Sequence, residues 1–326
     1  SAMTQRLDLK PQEDEYILMG MDAWGKRDER IKNQIYNDLV KSNINLHKGC
    51  KWWDLDFYPD DGSEQWKFDM AANTQWVAED EIMRIMNKAK DIVPETRNLV
   101  FMGGVALNCV ANEKVASGWD DIWIMPNPGD AGSSLGCAAN VYGRKINWVH
   151  PFLGTNIKGS YPIRRASDLL LKNELIGIAN GRAEFGPRAL GNRSLIADPR
   201  GNDIKDRMNV IKKRQKFRPF APSVLEEHAH KIFDLPVRKA SYMQFTAKCK
   251  YPDLYPAICH VDGTSRVQTV NRKENRGYYD MIKRFYNKTG CPMVLNTSLN
   301  IKGQPIVNTK QDGKDFEKYY NVKVLS

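Results

Sequence analysis

Residues 181–220 constrain the fold most, because they combine fixed positive charges with glycines and prolines. The segment reads GRAEFGPRALGNRSLIADPR, then a short spacer, then IKKRQKFRPF. A solvated helix face would alternate these charges with acids, whereas glycine and proline place them here in turns. The guanidinium fork of arginine matches the paired oxygens of phosphates and carboxylates. The segment therefore predicts an anion site, with a basic surface loop as the alternative.

The positive charge is concentrated in the second half of the chain. Residues 161–326 hold 31 Lys and Arg against 16 Asp and Glu, a net charge of +15. Residues 1–160 hold 18 against 23, a net charge of −5. This asymmetry indicates an anionic partner for the second half, such as a phosphorylated small molecule, a nucleotide or a nucleic acid. A basic surface that serves only solubility is the alternative.

Length and composition indicate a folded protein without membrane contact. The 326 residues predict about two domains. No apolar run approaches the roughly 20 residues that span a bilayer, and the polar first residues do not resemble a signal peptide. The six cysteines form no CxxC pair, which indicates a reducing compartment and argues against a zinc site. We expect a cytoplasmic homo-oligomer.

The periodicity of the chain predicts an α/β fold in two parts. Helices are expected over 13–21, 28–42, 70–92, 133–141, 166–172, 222–233 and 280–288. Strands are expected over 99–102, 121–125, 175–179 and 292–300, and a hairpin or an irregular insertion over 51–69. Residues 143–165 lack periodicity and coincide with the change of charge, so the domains are expected at 1–150 and 151–326.

Two predicted strands end in turns that suit a ligand. Gly103 and Gly104 follow the predicted strand over 99–102. Glycine there lets backbone N–H groups approach a phosphate or a sugar, although any strand-to-helix turn can use glycine. Asp130 lies in the glycine turn after the predicted strand over 121–125, either as a metal ligand or as a helix N-cap.

The strand over 292–300 ends in hydroxyl and amide side chains. Asn296, Thr297, Ser298 and Asn300 follow its apolar residues. Such a cluster at a sheet edge is placed to hydrogen-bond a ligand, and local turn hydrogen bonding is the alternative. The nearby basic segment favours the ligand.

Seven motifs, in the same order, resemble the O-carbamoyltransferases of the nodulation-protein and antibiotic-biosynthesis type. They are Glu15-Tyr16 with Met19-Gly20, GGVALN at 103–108, GDAG at 129–132, residues 181–200, residues 212–222, HVDGTSRVQ at 260–268, and NTSLN at 296–300. The resemblance covers most of the chain, and the long motifs are highly specific.

The resemblance implies an architecture and a two-step reaction. Residues 1–150 would be part of an actin-like (RNase H-like) domain, followed by a YrdC-like α/β domain. The second domain would make carbamoyl-adenylate from carbamoyl phosphate and ATP. The first would transfer the carbamoyl group to an acceptor hydroxyl, with a bound nucleotide and a divalent metal (Mg or Fe).

The resemblance also implies roles for individual residues. The catalytic group of the adenylate site would be Lys212, Arg218, Ser298 and Asn300. The residues that bind the phosphate or orient carbamoyl phosphate would be Arg188, Arg193, Arg266 and His260. The nucleotide would lie against Gly103, Gly104 and Asn108, and the metal would bind Asp130.

The sequence departs from the family pattern in the first domain. In the family, the actin-like domain carries an HxxxH metal pair and a first phosphate loop, and both are missing from this sequence. We therefore expect residues 1–140 to be the C-terminal half of that domain, from a truncated or split protein. The alternative function is a non-catalytic or split-subunit fragment that binds nucleotide and needs a partner for the metal-binding half.

The acceptor is the least constrained part of the prediction. The resemblance implies a small-molecule or sugar hydroxyl, and the +15 half also suits a hydroxylated nucleotide. A nucleic-acid partner has no supporting motif, because no basic stripe with interleaved aromatic residues occurs.

Overall fold

The computed structural model describes residues 1–42 and 50–326. Its helices are α1 (Ala2–Arg6), α2 (Glu15–Met21), α3 (Glu29–Ile35), α4 (Glu64–Ile92), α5 (Cys109–Ala116), α6 (Ser133–Tyr142), α7 (Ile163–Leu170), α8 (Ile204–Lys212), α9 (Glu226–Ile232), α10 (Arg276–Thr289) and α11 (Lys310–Tyr320). Its strands are β1 (Asn98–Val100), β2 (Asp121–Trp123), β3 (Asn156–Ile157), β4 (Ile176–Ala179), β5 (Gly181–Arg182), β6 (Arg193–Ala197), β7 (Ala221–Leu225), β8 (Phe233–Asp234), β9 (Phe245–Cys249), β10 (Thr264–Val270), β11 (Met293–Ser298) and β12 (Val324–Leu325).

The chain forms two compact units. Unit 1 comprises Ser1–Arg97, Val110–Asp120 and His260–Asp262. Unit 2 comprises Asn98–Cys109, Asp121–Cys259 and Gly263–Ser326. The structural division thus leaves β1, β2 and α6 in the unit that holds the large sheet. The domain boundary at residue 150 stays a prediction.

Unit 1 is built along α4, against which α1, α2 and α3 pack. Trp66 and Met70 on this helix are fully buried. Its buried polar side chains hold the chain between α2 and α3. Asn73 Nδ2 donates to the Lys26 carbonyl at 3.0 Å, and Asp69 Oδ1 accepts from the Lys26 N–H at 2.7 Å. Helix α4 begins at Glu64 rather than near residue 70, after an irregular segment over 50–63.

Unit 2 contains a mixed sheet of eight strands in the order β12-β4-β6-β11-β7-β10-β9-β8. Strands β12 and β4 run parallel, as do β7 and β10, and the other neighbouring pairs are antiparallel. All residues of β4, β6 and β7 are buried. Helices α7, α9, α10 and α11 each contact one or more strands of the sheet. Most residues of these strands are apolar, and the buried polar exceptions are Arg193 and Ser194 on β6 and Ser223 on β7.

One predicted helix is partly wrong. The range 222–233 was expected to be helical, but β7 occupies Ala221–Leu225 and only Glu226–Ile232 forms a helix. Strand β7 lies between β11 and β10, so its backbone hydrogen bonds are made by distant segments. Tertiary pairing therefore decides its conformation over local periodicity.

Strands β1 and β2 form a separate parallel pair in unit 2, with Asn98 opposite Asp121. Because both strands run the same way, the turns that follow them meet at one edge. Neither in residues 1–42 nor in 50–326 is there a helix long and apolar enough to cross a membrane.

Candidate active site

The amine of Lys212 is the centre of the candidate site. Lys212 is the last residue of α8, and Ser298 is the last residue of β11. The Lys212 Nζ lies 2.8 Å from the Ser298 carbonyl oxygen and 3.3 Å from Ser298 Oγ. It also lies 2.6 Å from Asn300 Oδ1 and 3.3 Å from the Asn300 carbonyl oxygen. The structure thus brings Lys212 together with two other predicted site residues, Ser298 and Asn300, which follow it by 86 and 88 positions in the sequence.

The environment of Lys212 lowers the pKa of its amine to about 7. Burial has the largest effect, because it penalises the charged form, and the positive charges of Arg214 and Arg218 add to it. Within residues 1–42 and 50–326, Lys212 forms no ion pair with a carboxylate. An anion bound nearby would supply the missing negative charge.

Arg214 organises the turn that carries Arg218. Its Nη2 donates to the carbonyl oxygens of Arg218 at 3.2 Å and of Pro219 at 2.7 Å. Its guanidinium also stacks on the Phe220 ring, 3.8 Å from the centroid. Arg214 was not among the predicted site residues, although its position two residues after Lys212 in the basic segment could have indicated it.

Arg193 occupies a different environment from the one expected of a phosphate-binding residue. It is fully buried at the start of β6. Its two Nη atoms donate to the carbonyl oxygens of Thr155, Asn180, Gly181 and Asn192 at 2.8–3.2 Å. These bonds support a structural role, because the donors that would hold a phosphate already hold the backbone.

The other predicted phosphate residues lie on three different segments of the chain. Arg188 is half-buried in the turn between β5 and β6, and Arg266 lies on β10. The Arg266 Nε is buried and has no hydrogen-bond partner among the described residues. His260 belongs to unit 1, where its Nδ1 lies 3.8 Å from Asp262 Oδ1 and its ring contacts Trp24 edge-on.

The two glycine turns of the predicted nucleotide site touch each other. The Gly103 N–H donates to the Pro128 carbonyl at 2.8 Å, and Gly103 has a φ of +99°, which favours glycine. Asn108 ends the 3₁₀ turn over Gly104–Leu107 and precedes α5. Asp130 is exposed and opens the turn over Asp130–Gly132 before α6. Both turns follow strands of the β1–β2 pair.

The residues that the structure describes do not fit a tightly held metal. Across 1–42 and 50–326, no group of three or more His, Cys, Asp and Glu side chains could hold one. Asp130 is one exposed carboxylate, and hard cations take six or more oxygen ligands. His228 and His230 on α9 have different neighbours: the His228 ring centroid lies 4.5 Å from that of Tyr286, and His230 Nε2 lies 3.1 Å from the Arg238 carbonyl oxygen.

Comparisons with known proteins agree with the motifs. A family model described as "Carbamoyltransferase N-terminus" matches residues 1–139, and one described as "Carbamoyltransferase C-terminus" matches residues 167–326. "Nodulation protein NolO" of Bradyrhizobium diazoefficiens is 40% identical over 92% of this chain and 62% of its own length. "Nodulation protein NolNO" of Sinorhizobium fredii is 38% identical over 75% of this chain and 41% of its own length.

A third relative is "Nodulation protein U" of Azorhizobium caulinodans, which is 35% identical over 64% of this chain and 40% of its own length. The chain therefore spans less than two thirds of each of these relatives. The two family models together match nearly all of it, in the order of its two halves. The chain belongs to the carbamoyltransferase family.

Proposed function

We propose that the chain acts in O-carbamoyl transfer and that unit 2 forms carbamoyl-adenylate from carbamoyl phosphate and ATP. The observation that carries the proposal is the Lys212 amine. It is held by Ser298 and Asn300, flanked by Arg214 and Arg218, and without a carboxylate partner among the described residues. Such uncompensated positive charge suits the α-phosphate of ATP and the charge that develops on it.

The proposed reaction has three balanced steps. Water breaks the bond between the carbamoyl group and phosphate, which releases phosphate and carbamate. A carbamate oxygen attacks the α-phosphorus of ATP, and the bond to pyrophosphate breaks. The acceptor oxygen then attacks the carbamoyl carbon, AMP leaves, and the hydroxyl proton goes to solvent or to a base.

Each predicted residue has a place in this proposal. Lys212 and Arg218 stabilise charge on the α-phosphate, while Ser298 and Asn300 hold Lys212 and the adenylate. Arg188 and Arg266 bind the phosphate of carbamoyl phosphate. The role of His260 in orienting carbamoyl phosphate stays a prediction from the motif. Arg193 supports the backbone through its bonds to carbonyl oxygens.

A second nucleotide would lie at the paired glycine turns, against Gly103, Gly104 and Asn108. We propose an actin-like origin for the β1–β2 region and a YrdC-like origin for residues 151–326. The acceptor is a hydroxyl of a small molecule, a sugar or a nucleotide. No step is assigned to a metal, because among the described residues Asp130 belongs to no group of three or more His, Cys, Asp and Glu side chains that could hold one.

The test is turnover with carbamoyl phosphate and ATP, following phosphate, pyrophosphate and carbamoyl-adenylate. Lys212→Met should lower the rate of pyrophosphate release by about 100-fold or more, because it removes the positive charge that stabilises the α-phosphate in the proposed reaction. Arg218→Ala should have a similar effect. Lys213→Met is the matched control, since Lys213 is the exposed neighbour.

The proposal fails if Lys212→Met and Arg218→Ala release pyrophosphate as fast as the parent protein. It also fails if the parent consumes carbamoyl phosphate without forming an adenylate. A decrease in the Lys213→Met control equal to that of Lys212→Met would show a general effect of net charge.

A further inference from the structure

A single turn, here called the arginine loop and defined as residues 184–193, carries Arg188 between β5 and β6. Its backbone is held by side chains rather than by a regular ladder. The Glu184 carboxylate lies inside the loop, and one of its oxygens accepts three backbone N–H bonds. The donors are Leu190 at 2.8 Å, Asn192 at 2.9 Å and Arg193 at 3.2 Å.

The Glu184 side chain is half-buried, with its carboxyl group turned away from solvent. Its other oxygen, Oε2, is out of contact with solvent and has no hydrogen-bond partner among the described residues. Burial raises the pKa of Glu184, and the three backbone bonds oppose that shift only in part. An acceptor that satisfies three backbone donors fixes residues 190–193, at the end of the loop, relative to Glu184 at its start.

A second set of side chains holds the same loop from the sheet. Asn296 Nδ2, on β11, donates to the Ala189 carbonyl at 2.9 Å. Gln268 Nε2, on β10, donates to the Leu190 carbonyl at 3.2 Å. Ser223, on the intervening strand β7, links the two amides. Three adjacent strands therefore contribute one polar side chain each to a buried network beneath the loop.

Arg188 lies between two anchored positions. On one side is Gly186, where an added Cβ would come within 2.4 Å of the Pro126 carbonyl oxygen. On the other side is Ala189, held by Asn296. With the backbone fixed on both sides, the position of the Arg188 Cα is set before any ligand arrives. Such preorganisation lowers the cost of binding, because less freedom is lost.

We infer that Glu184 and Asn296 are positioning residues, which hold Arg188 where it binds the phosphate of carbamoyl phosphate. Neither residue contacts the substrate in this proposal, and both act through the arginine loop. The inference rests on the proposed function, in which Arg188 contacts that phosphate while Lys212 and Arg218 serve ATP. It predicts a selective effect on one of the two substrates.

The experiment measures the affinities of the full chain for freshly prepared carbamoyl phosphate and for ATP, separately, by isothermal titration. Glu184→Ala should weaken carbamoyl phosphate binding by roughly tenfold or more and change ATP binding by less than about twofold. Glu184→Gln should stay within about threefold of the parent, because its amide oxygen can accept the same backbone bonds. Glu227→Ala, an exposed residue of unit 2, is the control.

A double-mutant cycle separates positioning from a general structural role. In an Arg188→Ala background, Glu184→Ala should change carbamoyl phosphate affinity by less than about twofold, since no guanidinium remains to position. Equal losses in both backgrounds would overturn the inference. Asn296→Ala should show the same dependence on Arg188, and it tests the inference if Glu184→Ala fails to fold.

Failure of the two proposals gives different results. If Arg188→Ala binds carbamoyl phosphate as tightly as the parent, the phosphate role of Arg188 in the proposed function is wrong. If Arg188→Ala weakens binding but Glu184→Ala and Asn296→Ala do not, the positioning inference alone is wrong.

Discussion

The buried amine of Lys212 is poised to change its charge when an anion binds. Its pKa of about 7 lies well below the ordinary value for lysine, because burial and two arginines disfavour the charged form. A bound phosphate reverses that preference and raises the pKa. If ATP binds at Lys212 as proposed, binding above neutral pH requires the uptake of a proton.

We predict that ATP binding at about pH 8 takes up close to one proton at Lys212, and that uptake disappears below about pH 6. At the lower pH the free amine is already protonated, so binding has no proton to gain. Titrations in buffers with different ionisation enthalpies measure the uptake. It should persist in Lys213→Met and vanish in Lys212→Met, and a binding heat that is independent of the buffer would contradict the prediction.

Glu79 in unit 1 is a second buried titratable group. Its charged neighbours favour its ionised form, whereas the charged neighbours of Lys212 favour the neutral amine. Burial opposes its ionisation, but Lys114 and Arg27 outweigh burial and hold the pKa of Glu79 below its ordinary value. Arg27 contacts both carboxylate oxygens at 3.1 and 3.2 Å. A carboxylate with a lowered pKa stabilises the fold above its unfolded pKa, and this stabilisation is lost as the pH falls through the folded value.

We expect Glu79→Gln to lower the free energy of unfolding at pH 7 by about 1–2 kcal/mol, because it removes the buried carboxylate that pairs with Arg27 and Lys114, while both cations keep contact with water. The deficit relative to the parent should shrink as the pH falls below about 4.5, where the parent carboxylate also loses its charge. Urea unfolding followed by tryptophan fluorescence measures both values. Glu81→Gln, in an exposed pair with Arg84, should cost less than about 1 kcal/mol.

At the scale of elements, the turn between β5 and β6 is fitted closely to α10. Gly191 has a φ of +118°, and a Cβ added there would lie 2.3 Å from the ring of Tyr278. Tyr278 is fully buried on α10, and the Gly191 carbonyl accepts from Tyr161 at 2.8 Å. The turn can take this path only with glycine, because both the backbone angle and the ring exclude a side chain.

We predict that Gly191→Ala lowers the free energy of unfolding by about 3 kcal/mol, from backbone strain and overpacking together. Gly136→Ala should act in the opposite direction. Gly136 lies inside α6 with open space around it, so alanine should add about 0.5–1 kcal/mol through helix propensity. Urea denaturation of the two variants tests the pair, and equal effects would show that the close contact with Tyr278 has no energetic consequence.

At the scale of the whole molecule, the charge is divided unevenly along the sequence. The excess of 15 positive charges in residues 161–326 produces a field that attracts anions. Several of these charges flank the candidate site, and the Lys212 amine responds to two of them. Long-range attraction of this kind is weakened by salt, since the Debye length falls from about 30 Å at 0.01 M to about 8 Å at 0.15 M.

The association rate of ATP should therefore fall by roughly threefold or more between about 0.01 and 0.15 M salt. Adenosine, which carries no phosphate, should associate at a rate that salt hardly changes. Stopped-flow measurements with fluorescent analogues of both compounds test this difference. An equal response of the two ligands to salt would remove the electrostatic explanation.

Much of the secondary structure could be predicted from the sequence. The expected helices over 133–141 and 280–288, and the strand over 175–179, correspond closely to α6, α10 and β4. Their residues show clear periodicity or continuous apolar runs, and secondary structure can be predicted from such patterns without knowledge of tertiary contacts. Strand β7 could not be predicted in this way, because its hydrogen-bond partners are β10 and β11, which follow it by at least 39 residues.

The sequence by itself determined the family, the order of the motifs and the concentration of positive charge, because these depend on residue identity alone. Only the tertiary structure decided which arginines hold the backbone and which lie near the Lys212 amine. Arg193 and Arg218 belong to the same basic segment, yet one is fully buried among carbonyl oxygens and the other flanks the Lys212 amine. Arginine suits both roles chemically, so the difference arises from the strand pairing that buries β6 and brings β11 beside the end of α8.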